Sequence, residues 1–181
     1  KLNGLNHRPS YGDGPCYISI DKTGQYAFVS NYNRGNLVVL PLFDDGLIGN
    51  PSDAKKYVGS SVDEKRQESP HIHSAVISPD NRFLYVSDLG TDKIYVYDFN
   101  VENGRLASSN TSEVAVNPGS GPRHFTFHPS GKFAYLAEEL TSTVCAFSVN
   151  KTTGELTVLE DTIRSLPAGF TGPNTSADIH T

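Results

Sequence analysis

Four ionisable side chains stand at the two ends of one short stretch, GPRHFTFHPSGKFAYLAEEL, which runs from Gly121 to Leu140. Arg123 and His124 precede a strand-like run, and Glu138 and Glu139 follow the next one. A guanidinium pairs with carboxylate or phosphate through a rigid fork of donors, and an imidazole can take up a proton near neutral pH. Together such groups could activate a water and hold an oxyanion. A second cluster, QESPHIHSAV, carries His71 and His73, which point to one side if the chain is extended; the loop DLGTDK behind it carries Asp88. Two imidazoles beside carboxylates also suit zinc, but no third ligand stands at a recognisable spacing. Neither a metal nor any other cofactor is expected.

Whether these groups can meet depends on the elements that carry them. The segments YISIDKTGQYAFVSN, AVISPDNRFLYVSD and FTFHPSGKFAYLAE share one pattern: an apolar strand, a tight turn and a second strand. The turns DKTG, SPDN and HPSG contain Pro, Asp, Asn and Gly, the residues that supply reversal dihedrals. Aligned on Gly24, Asn81 and Gly131, the units recur about every 50 residues, a period of propeller blades or solenoids. In each copy a polar loop (NYNRGN, DLGTDK, EELTST) leads to a third strand, and a Gly-, Asp- or Asn-rich turn leads to a fourth, with YVG, EVAV and LEDTI as candidates. Four antiparallel strands per repeat make a blade. The expected fold is all-β, a β-propeller with almost no helix.

The expected domain is one partial propeller over 1–181, with repeats near 12–66, 67–118 and 119–170 and the start of another at 171–181. Three repeats with ragged ends cannot close a ring, so the chain reads as roughly half of a propeller inside a longer protein. Open sheet edges would then allow self-association.

In an antiparallel meander, successive connections alternate between the two ends of the strands. The lead-in to strand one and the loop from strand two to three therefore share an end, which gathers His71, His73, Asp88, Arg123, His124, Glu138 and Glu139. The fourth copy adds Asp178 and His180. The first repeat has only Cys16, Tyr17 and Asn31 at these places. With strand one innermost, the groups rim the mouth of a central channel. Plainer roles compete. Asp88 could bracket the amides of its own loop, and Glu138 reads as a solvated loop charge. His128 falls at the opposite end and is structural, while His7 and Arg8 carry no signal. Cys16 and Cys145 show neither a CxxC pair nor a disulfide framework and read as small buried side chains.

Composition narrows the partners. A net charge of -5 and a pI near 5.6, without a basic stripe, argue against nucleic acid. No apolar run approaches the roughly 20 residues of a membrane helix, so no membrane partner is expected. The cytoplasm is the expected compartment, with the periplasm as the alternative.

The segments GDGPCYISID, SPHIHSAVISPDNRFLYVSDLGTDKIYVYDF, GSGPRHFTFHPSGKFAYLAEELTSTVCAFSVN and SADIHT resemble the seven-bladed propeller lactonases, which include bacterial 6-phosphogluconolactonases and fungal carboxymuconate lactonising enzymes. The resemblance covers nearly the whole chain. It implies a catalytic cluster of His73 (or His71), Arg123 and Glu139, with His71, Asp88 and His124 as substrate contacts and a sugar lactone as substrate. In that reading His73 is the base, Glu139 orients it or the water, and Arg123 binds the oxyanion or a phosphate. Two positions depart from the family pattern: Tyr17 stands where histidine usually follows Pro-Cys, and Glu138 where asparagine usually precedes the loop glutamate. The alternatives are a muconate-type cycloisomerase run by the same groups and a non-catalytic propeller scaffold. A closed Arg123–Glu139 ion pair with no space above it would favour the scaffold.

Overall fold

The computed structural model describes residues 2–181, with the side chains at 110, 111, 160 and 161 excepted. Among the described residues there is no helix, and the strands form three four-stranded antiparallel sheets in simple meander order. The first holds β1 (Pro15–Ile20), β2 (Tyr26–Asn31), β3 (Asn36–Pro41) and β4 (Asp53–Lys56). The second holds β5 (Ile72–Ile77), β6 (Phe83–Asp88), β7 (Lys93–Asn100) and β8 (Arg105–Ala115), and the third β9 (Pro122–Phe127), β10 (Phe133–Glu138), β11 (Thr143–Val149) and β12 (Leu156–Arg164). The first strands gather side by side, β1 against β5 and β5 against β9. The Ser19 hydroxyl reinforces the first seam by donating to the Ala75 carbonyl at 2.5 Å.

The repeat is visible in the backbone. Gly24, Asn81 and Gly131 all turn with positive φ, at 76°, 64° and 64°. Gly35, Asp92 and Ser142, each just before a third strand, do the same at 58°, 54° and 55°. Glycine fills both positions in repeat one and the first turn of repeat three, so Asn81, Asp92 and Ser142 carry the strain of the left-handed region in the remaining places. Asn81 is compensated across the sheet boundary: its amide donates to Asp21 at 3.0 Å and its carbonyl oxygen accepts the Lys22 N–H at 2.8 Å.

Side chains alternate across the middle sheet because successive residues of a strand face opposite sides. Leu84 and Val86 pack toward the first sheet with Phe28, Leu37 and Phe99. Phe83 and Tyr85 pack toward the third with Val96, Leu136 and Phe147. The core thus lies between sheets, as blade packing requires. One fourth strand lies earlier than its expected segment: β4 ends at Lys56, immediately before Tyr57-Val58-Gly59. The apolar signal there is the Tyr57 ring, which is buried in the inter-sheet core rather than paired in a ladder.

Candidate functional site

At one end of the sheets, lead-in and loop are tied by equivalent bonds. The backbone N–H groups of Tyr32, Leu89 and Glu139, each the first residue after a second strand, donate to the carbonyls of Gly14, His71 and Gly121 at 2.8, 3.0 and 2.8 Å. The preceding residues, Asn31, Asp88 and Glu138, are fully buried. Asp88 Oδ1 accepts the backbone N–H groups of His71 at 2.7 Å and Gly90 at 2.9 Å, and Oδ2 accepts the Thr91 hydroxyl at 2.8 Å. Burial pushes its pKa up against these bonds. The carboxylate thus brackets its own loop and the His71 backbone. Glu138 is not a solvated charge: it is enclosed at the end of β10 and accepts the Thr143 hydroxyl at 2.5 Å.

Each first strand carries a bulge at its site end, between Pro15 and Tyr17, Ile72 and Ser74, and opposite the step from Ala137 to Glu138. The extra residues are Cys16, His73 and Arg123. A bulge leaves one residue out of the ladder and re-aims its side chain. Cys16 is an exposed residue rather than a buried one. Its thiol leans on the Ile72 carbonyl at 3.3 Å, and desolvation pushes the thiol up to about 11 against the pull of Arg123. Cys145 is buried, as expected.

His73 and Arg123 converge on Glu139. Arg123 Nε donates to Glu139 Oε2 at 3.0 Å, and His73 Nε2 stands 3.6 Å from the same oxygen. The other oxygen accepts a donor that sequence reasoning missed, Arg66 Nη2, at 2.6 Å. Arg66 belongs to a connection without a counterpart in the other repeats, so periodicity offers no signal for it. It is placed by a turn in which Asp63 accepts the Lys65 and Arg66 N–H groups at 2.9 and 3.1 Å. The buried Gln67 pins that turn to the second sheet by donating to the Leu89 carbonyl at 2.8 Å. Burial would raise the Glu139 pKa, but the nearby His73 imidazole, the Arg66 hydrogen bond and the charge of Arg66 outweigh it and hold the carboxyl at about 2. The Arg123–Glu139 pair is therefore made, as one arm of a shared network. Both arginine side chains stay partly open to solvent, 22% for Arg123 and 39% for Arg66.

The other predicted residues surround this core. His71 stacks on Tyr32 with ring centres 4.3 Å apart, holds Nδ1 against the Tyr32 carbonyl at 3.1 Å and sets Nε2 3.3 Å from Glu68. His124 lies edge-on to His73 at 5.5 Å and to Tyr17 at 5.0 Å, so the Tyr17 departure falls inside the site. Its Nδ1 meets Asp178 Oδ1 at 2.6 Å, and its Nε2 is 3.4 Å from Arg123 Nη1. His180 takes the second Asp178 oxygen at 2.7 Å. His128 is at the far turn, bonded to Ser130 at 2.9 Å. An ionised carboxylate, two guanidiniums and three imidazoles at one rim can bind an anion, stabilise an oxyanion and move a proton.

Four-stranded meander sheets joined along their first strands are the blades of a propeller, and the polar rim lies at one end of them. The chain belongs to the family described as lactonase, 7-bladed beta-propeller, whose model matches residues 1–181. It is 36% identical over 180 residues to a 6-phosphogluconolactonase of Bacillus subtilis, covering 99% of this chain and 50% of that one. It is 34% identical over 146 residues to a 6-phosphogluconolactonase of Formosa agariphila, covering 80% of this chain and 41% of that one. Among solved structures, the periplasmic gluconolactonase of Pseudomonas aeruginosa superposes with a TM-score of 0.82 at 37% identity, over 92% of this chain and 46% of that one. The chain spans about half the length of the curated relatives it matches. No described helix is long and apolar enough to cross a membrane.

Proposed function

We propose that the protein opens a sugar lactone by hydrolysis, as a 6-phosphogluconolactonase does. The three sheets, with 171–181 opening a fourth repeat, are then part of a seven-bladed ring whose channel mouth is the active site. The observation that carries the reading is the convergence of Arg66, Arg123 and His73 on the ionised Glu139 carboxylate. Ring opening needs a water deprotonated as it adds to the carbonyl and a donor for the oxyanion that forms. Arg123 is that donor, and it can equally hold a phosphate. Glu139, in turn, fixes the guanidinium in place. His73 offers Nε2 to Glu139 while its Nδ1 is enclosed and meets no partner among the described residues, an arrangement that orients the carboxylate. The base role expected for His73 is thus the part of the sequence reading that the geometry supports least. The cytoplasm remains the proposed compartment, with the periplasm second because one solved relative is a periplasmic gluconolactonase.

The test is acid release from 6-phosphogluconolactone by the full-length protein, corrected for spontaneous hydrolysis, beside Arg123→Ala. A loss of at least about a hundredfold is the scale of a missing oxyanion donor. No rate above background with the wild type would overturn the assignment.

A further inference from the structure

We propose that His124, positioned by Asp178, is the proton acceptor of this site. The inference rests on the lactonase reading and concerns which of its imidazoles moves the proton. A base must keep one ring nitrogen unprotonated and facing the reacting groups, while the other nitrogen is held by a partner that sets the tautomer. His73 is the poorer candidate: Nε2 stands 3.6 Å from the Glu139 carboxylate, which favours an N–H on that atom, and Nδ1 is enclosed without a partner. His71 is poorer too, being stacked on Tyr32 with its nitrogens taken up by the Tyr32 carbonyl and Glu68.

His124 meets both conditions. The carboxylate of Asp178 takes the Nδ1 proton at 2.6 Å, so the lone pair lies on Nε2. That atom points inward, 3.4 Å from Nη1 of the arginine assigned to the oxyanion. Base and oxyanion donor are therefore adjacent, as addition of water to one carbonyl requires. The charged and titratable groups that face the ring are Asp178 from the C-terminal segment, Arg123 on its own strand, His73 from β5 and Tyr17 from β1. Burial lowers the His124 pKa, the charge of Arg123 lowers it further, and the Asp178 hydrogen bond opposes them. The balance of these effects favours the neutral ring. In the step, Nε2 takes a proton from water as its oxygen bonds to the lactone carbonyl carbon. The carbonyl then re-forms, the ring C–O bond breaks, and the departing alkoxide recovers the proton from Nε2. The products are the free hydroxyl and the carboxylic acid, which ionises.

The experiment is the pH dependence of kcat/KM for 6-phosphogluconolactone hydrolysis by the full-length protein and its His124→Gln, His73→Gln and Asp178→Asn variants. The wild type should lose activity on the acid side through a group titrating below 6.5, the ordinary histidine value. His124→Gln should lower kcat/KM by about 10²–10⁴-fold and abolish that acid limb. His73→Gln should lose less and keep it. Asp178 is half exposed, so Asp178→Asn leaves the fold undisturbed. It should lower kcat with KM little changed and move the acid limb to lower pH, because the carboxylate that raises the imidazole pKa has gone. An acid limb kept by His124→Gln and lost by His73→Gln would overturn the proposal and leave the lactonase reading standing. The absence of any hydrolysis by the wild type would overturn both.

Discussion

His73 and Arg123 occupy the same place in successive sheets, each the extra residue of a bulge at the start of a first strand. Their side chains leave the ladder there and reach one carboxylate, that of Glu139. Cys16 is the third member of the set, the extra residue of the bulge in β1. Its thiol, held at about 11 against an ordinary 9.0, should react with iodoacetamide at pH 8 about a hundredfold more slowly than free cysteine, since only the thiolate attacks. Arg123 lowers that pKa, so Arg123→Ala should slow the labelling further. Mass-spectrometric labelling rates check both, and a Cys16 that labels as fast as free cysteine would refute the assignment.

Glu139 gives the fold a pH dependence. Its native pKa of about 2 lies below the ordinary 4.5, so it contributes stability that is complete above 4.5 and lost as pH falls toward 2. Glu139→Gln should flatten that part of the stability curve and cost about 1–2 kcal/mol at pH 7, the scale of charge-assisted hydrogen bonds at a partly solvated site. Urea midpoints at pH 7, 5 and 3 for the two proteins supply the comparison.

Asp88 predicts a structural phenotype. Asp88→Ala removes the acceptor of two backbone N–H groups and a hydroxyl in a closed loop, and should cost about 2–4 kcal/mol. Because His71 loses its backbone anchor, the Tyr32–His71 stack should loosen too. Urea denaturation measures the first effect and the line width of the His71 ring resonance the second. A cost within about 0.5 kcal/mol would show that the loop is held otherwise.

Asn81 separates turn strain from contacts between sheets. Asn81→Ala keeps the positive φ and loses both bonds to the first sheet, and should cost about 2 kcal/mol. Asn81→Gly relieves the strain and should cost less than half of that. Equal losses would mean that only the cross-sheet bonds matter.

The propeller was legible because its signals are local and repeated. Apolar strand runs such as those of β6 and β7, turn residues at Gly24, Asn81 and Gly131, and a period near 50 residues are all written along the chain. Meander topology then placed Arg123, His73 and Glu139 at one end without any knowledge of distance. The fate of each charge was not legible. Glu138 and Glu139 are neighbours of one type, yet one is enclosed against Thr143 and the other turns to Arg66, a residue 73 positions away. Periodicity cannot report a pairing between a repeat and a connection that has no repeat. Nor can it tell which imidazole keeps a usable lone pair, since that depends on what Asp178 and Glu139 each touch. Strand order and the shared rim follow from backbone chemistry that every residue obeys, so the sequence alone determined them. Burial, ion pairing and tautomer depend on which side chains from distant segments arrive at one point, and only the tertiary structure decided those.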